Sequence, residues 1–416
     1  MKIGLIGKNI THSYSKIIHD HLGCESYQLY DIQTINDLPS LKLDAFNVTH
    51  PYKKDIFKYL KQTDEIAEAT NSVNTVIKKD NQLIGYNTDY YGFKSLIEFN
   101  QINLNNKNIT IIGHGATSKT VAYYLKTKNI KSLNHLVRQV VYDSDIHLKD
   151  QEKCKNTNII INTTPVGMYP HTNDSQLIDF KYFPNCEYAI DVIYNPFRTS
   201  FLLEASKNNI KTVNGLYMLL MQAVKMEEIV FNKTFSQDMI QNVYRKLILD
   251  NINIVFIGLP LSGKSAVGKS LSHKLNLSFY DSDDLIVDQV GIDIQTIFQT
   301  KGEPYFRNIE KDIIDSLNKK RGVVISTGGG VILNENNMKH LKQNGITIYI
   351  NKDLSQTNYR NDHQRPLLKN KNDLIKLSKE RNHLYKQYAD IEYLIDKNHP
   401  HSIERLIGII YEYFNC

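Results

Sequence analysis

Tryptophan is absent from this 416-residue chain, and cysteine occurs only four times. Cys24, Cys154, Cys186 and Cys416 lie far apart and form no C-x-x-C pair, which excludes zinc-ribbon spacing and points to a reducing cytoplasm. No stretch approaches the roughly 18 apolar residues that a membrane helix needs. The opening MKIGLIGKNI has an apolar run too short for a signal peptide and reads as a first strand. Pro-rich, Gly/Ser-rich and repeated segments are lacking, so no long linker is expected. Charge of one sign is also scarce. The formal net charge is +6, but Lys plus Arg exceed Asp plus Glu by only three on either side of residue 250. That leaves no basic domain or arm to track a nucleic-acid backbone. Small anionic molecules are the expected partners, with no nucleic acid, membrane or obligate protein partner.

What is present is ordinary globular material, 41% hydrophobic and 23% charged, in a chain long enough for two or three domains. Strand-like runs at Lys2 to Ile6, Ala45 to Val48 and Val73 to Ile77 alternate with helical candidates, the signature of an α/β fold. A second cycle opens with the strand Asn108 to Ile112, the turn GHGATSKT and a helix to about Lys126. Short apolar runs at Leu133 to Val137, Asn158 to Ile161 and Tyr188 to Val192 then complete a parallel, Rossmann-like sheet. Helical spacing returns at Leu216 to Ile229 and at Met239 to Ile248. A third cycle begins at Asn253 to Ile257, so the main boundary is expected near Asp250.

The segment GLPLSGKS, Gly258 to Ser265, follows that strand and precedes a helical run, the context a P-loop requires. Its backbone N–H groups suit phosphate, Lys264 reaches the β- and γ-phosphates, and the Ser265 hydroxyl suits Mg²⁺. Leu261, Ser262, Gly263, Lys264, Ser265 and Ala266 are therefore the expected ATP contacts. The next strand runs into FYDSDDLI, which on an extended chain places Asp281 and Asp283 on the same side. One carboxylate then serves the metal and the other an acceptor hydroxyl.

With FRNIE at 306–310, STGGGV at 326–331, RPLL at 365–368 and ERNHLY at 380–385, residues 253 onward resemble shikimate kinase. The resemblance implies that Asp283, Arg307, Gly329 and Arg381 hold shikimate, that Asp281 supports magnesium, and that Arg365, in a lid, approaches ATP. Paired arginines suit a carboxylate because guanidinium offers a fork of donors. One motif departs from the family's R-x-P-L-Y: Asn382 and His383 precede Leu384, and a local change at the lid-to-helix junction is expected.

The turn Gly113 to Ser118 is a partial dinucleotide fingerprint, with Ser118 at the third glycine position. Arg138 follows the next strand, where a guanidinium can pair with the 2′-phosphate of NADP. Residues 1 to about 231 resemble shikimate dehydrogenase through HSYS, NVTHPYK, SVNT, GYNTD, NTTPVGM, DVIYNP and NGLYMLLMQA. By that resemblance Ser13, Ser15, Thr49, Asn74, Asp89, Tyr194 and Gln222 surround the substrate, and Lys53 and Asp89 form the catalytic pair. NADP(H) contacts are expected from Gly113, His114, Gly115, Ala116, Thr117, Arg138 and Gly215. The family's N-R-T reads Val137, Arg138, Gln139 here, which thins the phosphate clamp. The lysine also makes chemical sense, since ketone reduction needs a proton at the developing alkoxide.

The expected organisation is a dehydrogenase over 1–250, with 1–104 and the C-terminal helices as substrate domain and about 105–214 as cofactor domain. A P-loop α/β kinase domain with a parallel sheet follows over 251–416. The implied activities are NADPH-dependent reduction of 3-dehydroshikimate and ATP-dependent phosphorylation of shikimate. Two alternatives stand beside this: a quinate-preferring first half, and a catalytically inactive metabolite sensor. The sensor is disfavoured because Lys53, Asp89, Lys264, Asp283, Arg307 and Arg381 are all present.

Overall fold

Short runs of Ile, Val and Leu bounded by Gly, Asn and Asp build three separate sheets. The computed structural model describes every residue except 12, 173–176, 357–370 and 397–400. Two compact units, Met1–Tyr244 and Arg245–Cys416, divide the chain within the helix Gln237–Asn251.

In the first unit, β1 (Ile3–Gly7), β2 (Tyr27–Asp31), β3 (Ala45–Val48), β4 (Gln62–Thr63), β5 (Thr75–Lys79) and β6 (Gln82–Tyr86) form one mixed sheet. Its order is β2-β1-β3-β5-β6-β4, and β5 runs antiparallel to both β3 and β6. Asp80 and Asn81, at φ 49° and 61°, give the β5–β6 hairpin the two left-handed residues that a tight turn favours. β5 starts two residues later than the apolar run suggests, because the Val73 N–H donates to the Lys53 carbonyl rather than to a ladder.

The second sheet is wholly parallel: β7 (Asn108–Ile112), β8 (Ser132–Val137), β9 (Asp145–His147), β10 (Ile159–Asn162), β11 (Tyr188–Asp191) and β12 (Lys211–Val213). Its order, β12-β11-β10-β7-β8-β9, reverses direction between β10 and β7. That switch point is where an open α/β sheet leaves a crevice for a dinucleotide. Helix Asp89–Phe99 packs on helix Leu216–Phe231 so closely that a Cβ at Gly92 would meet the Met218 carbonyl oxygen at 2.5 Å. Phe99 stacks on Tyr217 at 3.9 Å along the same seam.

The second unit carries β13 (Asn253–Ile257), β14 (Ser278–Asp281), β15 (Val323–Ser326), β16 (Gly345–Lys352) and β17 (Ile391–Ile395). All pair in parallel, in the order β14-β15-β13-β16-β17, with Val255, Ile257, Ile325 and Tyr349 buried in the core. Extended chain ends at Asp281, whose carboxylate accepts the Asp283 N–H at 3.0 Å and caps the helix Ser282–Val290. Asp283 therefore belongs to a first helical turn, not to a strand face. Among the described residues no helix is long and apolar enough to cross a membrane.

Candidate active sites

Lys53 lies in the irregular segment after β3, and Asp89 is the first residue of helix Asp89–Phe99. The Lys53 Nζ donates to Asp89 Oδ2 at 2.5 Å, with side chains 16% and 11% exposed. Asn74 fixes the other carboxylate oxygen: its Nδ2 donates to Asp89 Oδ1 at 2.8 Å, while its Oδ1 accepts the Thr88 N–H at 2.6 Å. Gln222 joins from helix Leu216–Phe231, where its Oε1 receives Asn74 Nδ2 at 3.4 Å. The tight crossing at Gly92 brings Gln222 within this reach. An ammonium so oriented, and only partly exposed, can deliver a proton to an oxygen beside it.

Ser13, Ser15 and Tyr194 make a second group. The Ser13 hydroxyl donates to Ser15 Oγ at 3.0 Å, and the Tyr14 and Tyr194 rings lie 5.1 Å apart. Burial pushes the Tyr194 hydroxyl up against the opposing effect of its bond with Ser13. Thr49, directly after β3, is half-buried, its N–H on the Ile6 carbonyl at 3.0 Å.

On the second sheet, Gly113 adopts φ 109° directly after β7, and a Cβ there would meet Thr163 Oγ1 and Thr164 Cγ2, both at 2.9 Å. Gly115 precedes helix Ala116–Lys126 with open space where its Cβ would be, so an anion can approach the helix start that carries Ala116 and Thr117. That geometry fits the pyrophosphate of a dinucleotide. Ser118 is buried, its hydroxyl on the Gly113 carbonyl at 2.9 Å, so it braces the turn from behind. Arg138 is exposed just past β8. At Gly215 a Cβ would sit 2.0 Å from the Val192 carbonyl oxygen, which gives that glycine a packing reason independent of any ligand. The Asn87 side chain donates to Thr120 at 2.9 Å and so ties the residue two before Asp89 to helix Ala116–Lys126.

In the second unit the phosphate loop passes through left-handed Gly258, Leu261 and Gly263, at φ 146°, 67° and 93°, before helix Lys264–Leu275. Such alternation turns N–H groups into an anion-binding concavity. Lys264 Nζ donates to the Gly258 and Leu259 carbonyls at 3.0 and 2.9 Å. Ser262 is buried and Ala266 exposed. The Ser265 hydroxyl donates to Asp281 Oδ2 at 2.6 Å, a hard-oxygen pair beside the loop that fits magnesium arriving with a nucleotide.

The turn Gly328 to Gly330 gathers the remaining side chains. A Cβ at Gly328 would meet Asp283 Oδ1 at 2.6 Å, and one at Gly330 would meet Arg307 Nη2 at 2.3 Å. The Gly329 carbonyl accepts Arg381 Nη1 at 3.0 Å and the Tyr385 hydroxyl at 2.5 Å. Arg307 also grips both oxygens of buried Glu310, at 3.1 and 2.9 Å, and Glu303 at 2.9 Å. Burial pushes the Glu310 carboxyl up while Arg307 opposes it. Glu310, Tyr385 and Thr88 carry no role in the sequence reading, although i+3 and i+4 spacing from Arg307 and Arg381 sets Glu310 and Tyr385 each on one helix face with its partner. Arg365 lies outside the described residues. Helix Lys371–Tyr388 continues unbroken through Asn382 and His383, with Asn382 Oδ1 accepting the Tyr349 hydroxyl at 3.0 Å.

The shikimate kinase family model matches residues 260–410, and the shikimate dehydrogenase substrate binding domain model matches residues 5–76. A shikimate dehydrogenase (NADP(+)) from Clostridium beijerinckii is 34% identical over 259 residues, covering 58% of this chain and 96% of that protein. Among solved structures, shikimate dehydrogenase 1 from Peptoclostridium difficile aligns at 32% identity and a TM-score of 0.54, over 59% of this chain and 97% of that one. A quinate dehydrogenase from Corynebacterium glutamicum, in complex with NAD, aligns at 22% identity and a TM-score of 0.52, over 59% of this chain and 98% of that one, and shares the fold alone.

Proposed function

Since the chain belongs to the shikimate dehydrogenase family and also carries a shikimate kinase domain over 260–410, we propose that it catalyses two consecutive steps on one carbon skeleton. The first unit reduces 3-dehydroshikimate to shikimate with NADPH, and the second phosphorylates the shikimate 3-hydroxyl with ATP. The Lys53–Asp89 contact of 2.5 Å, held by Asn74, is the observation that carries the first reading. NADPH supplies the hydride. Lys53 donates the proton to the developing alkoxide, and Asp89 holds the hydroxyl and aims the ammonium. Ser13, Ser15, Thr49, Tyr194 and Gln222 complete the substrate's surroundings. Gly113, His114, Gly115, Ala116, Thr117, Arg138 and Gly215 line the cofactor's path.

In the second unit, ATP with magnesium supplies the phosphoryl group. Lys264 exchanges its loop carbonyls for phosphate oxygens, Ser265 and Asp281 hold the metal, and Asp283 orients the acceptor hydroxyl. Arg307 and Arg381, meeting at the Gly329 turn, clamp the substrate carboxylate. The relatives at 30% identity or more favour shikimate over quinate for the first unit. Four unpaired thiols support a reducing, cytoplasmic setting.

One reaction mixture tests both halves. The purified chain, given 3-dehydroshikimate, NADPH, ATP and Mg²⁺, is expected to form shikimate 3-phosphate. Shikimate that accumulates without phosphorylation would remove the kinase assignment, and unconsumed NADPH would remove the dehydrogenase assignment.

A further inference from the structure

Beside the dinucleotide turn lies a charge arrangement that the proposed reaction leaves unused. The Gly113 N–H donates to the Leu136 carbonyl at 2.9 Å, so the turn sits against the end of β8, which leads into Arg138. His114, the next residue, points Nδ1 at Asp145 Oδ1 across 3.7 Å, with side chains 24% and 1% exposed. That gap is beyond a hydrogen bond. Both atoms are buried and neither has a hydrogen-bond partner. The other Asp145 oxygen accepts the Val141 and Tyr142 N–H groups, both at 3.0 Å, so the carboxylate also shapes the loop that follows Arg138.

The groups facing His114 are Asp145 from β9, His135 from β8 at 5.5 Å between ring centroids, and Tyr142 from the loop at 4.9 Å. Burial acts to raise the Asp145 carboxyl, but the Tyr142 and Val141 N–H donors and the two imidazoles outweigh it and hold it below the ordinary range. Burial also holds His135 below the ordinary histidine range, with His114 and Lys126 pressing the same way. Asp145 is thus an ionised, buried carboxylate. An uncompensated negative charge here would oppose any ligand that brings more negative charge to the end of β8.

We propose that His114 is a cofactor-selecting residue: its imidazole, facing Asp145 from within the phosphate turn, offsets the buried carboxylate and lets the site accept the additional ribose phosphate of NADPH. This rests on the NADPH reading given above and extends it to a side chain, where a dinucleotide turn otherwise works through its backbone.

The test is calorimetric titration of the full chain with NADPH and with NADH. His114→Gln should weaken NADPH about tenfold and NADH less. The double variant His114→Gln/Asp145→Asn should recover most of the lost NADPH affinity, because the charge that needed cancelling is gone. A merely structural role for His114 predicts no such recovery. Equal losses for the two dinucleotides, or a double variant as weak as His114→Gln, would overturn the assignment. Wild-type chain that binds neither dinucleotide would overturn the cofactor reading itself; wild-type binding with an unaltered His114→Gln profile removes only the role of His114.

Discussion

Asp191 closes β11 with no exposed surface, yet its carboxylate is not bare. Thr199 Oγ1 donates to it at 2.6 Å, the Ile193 N–H at 3.0 Å and Asn162 Nδ2 at 3.1 Å. Burial nevertheless dominates those bonds and pushes its carboxyl from 3.8 up to about 7. Because the folded value lies above the unfolded one, the folded state binds the proton more tightly. The associated stability is fully present below about pH 4 and is lost as pH rises to about 7, on the order of a few kcal/mol. Asp191→Asn holds a neutral side chain in the same cradle at every pH. Its melting temperature, measured against wild type, is expected to improve from about pH 4 to about pH 7 and then level off; a flat difference would mean that Asp191 does not titrate in this window. Lys53 gives a contrasting residue-scale test. Removing it by Lys53→Ala should lower turnover of 3-dehydroshikimate by at least about a hundredfold with a modest change in KM, and leave shikimate phosphorylation intact. A loss confined to KM would make Lys53 a positioning group.

At the scale of elements, the crossing of helices Asp89–Phe99 and Leu216–Phe231 is what unites Asp89 with Gln222. Gly92→Ala would put a methyl against the Met218 backbone, where nothing flexible can give way. The expected cost is about 1 to 3 kcal/mol, with reduction impaired far more than phosphorylation. Parallel assays of both activities, with a thermal melt, check this; equal losses in the two would point away from the helix seam. Sequence patterns read such elements unevenly. The runs Ala45–Val48, Asn108–Ile112 and Asn253–Ile257 are strands at the limits their apolar residues suggest, because turn-forming neighbours bound them. FYDSDDLI misleads because an aspartate can end a strand or cap a helix, and only the Asp281–Asp283 bond decides between them. Motif residues such as Lys53 and Asp89 are visible singly, but Thr163 facing Gly113 depends on the register of β10 against β7, which no local pattern encodes. Spacing sets Arg307 and Glu310 on one helix face, but the clamp itself is seen only in the folded chain.

At the scale of the whole molecule, the helix Gln237–Asn251 decides where the chain can be cut. Tyr244 packs its ring against Phe99 and Tyr217 in the first unit, at 5.4 and 5.1 Å. Arg245 lies over Tyr411 at 5.2 Å in the second, and a Cβ at Gly322 would sit 2.6 Å from the Leu249 and Asp250 carbonyl oxygens. A fragment of residues 251–416 loses the Arg245, Leu249 and Asp250 contacts, whereas 236–416 keeps them. The longer kinase fragment should melt at least about 5 °C higher, and fragments 1–251 and 236–416 should each retain their own activity. Equal melting temperatures would show that residues 236–250 contribute nothing to the second unit. The four thiols, finally, carry a consequence of their placement. Cys24, Cys154 and Cys186 belong to the first unit and Cys416 to the second, all of them free. Burial raises every one, Cys186 to about 12, so in the folded chain little thiolate is available to an alkylating reagent. Unfolding restores ordinary reactivity. In a denaturant series read by mass spectrometry, the first three residues to take up label together would time the opening of one enzyme, and Cys416 would time the other, without any probe being added by mutation.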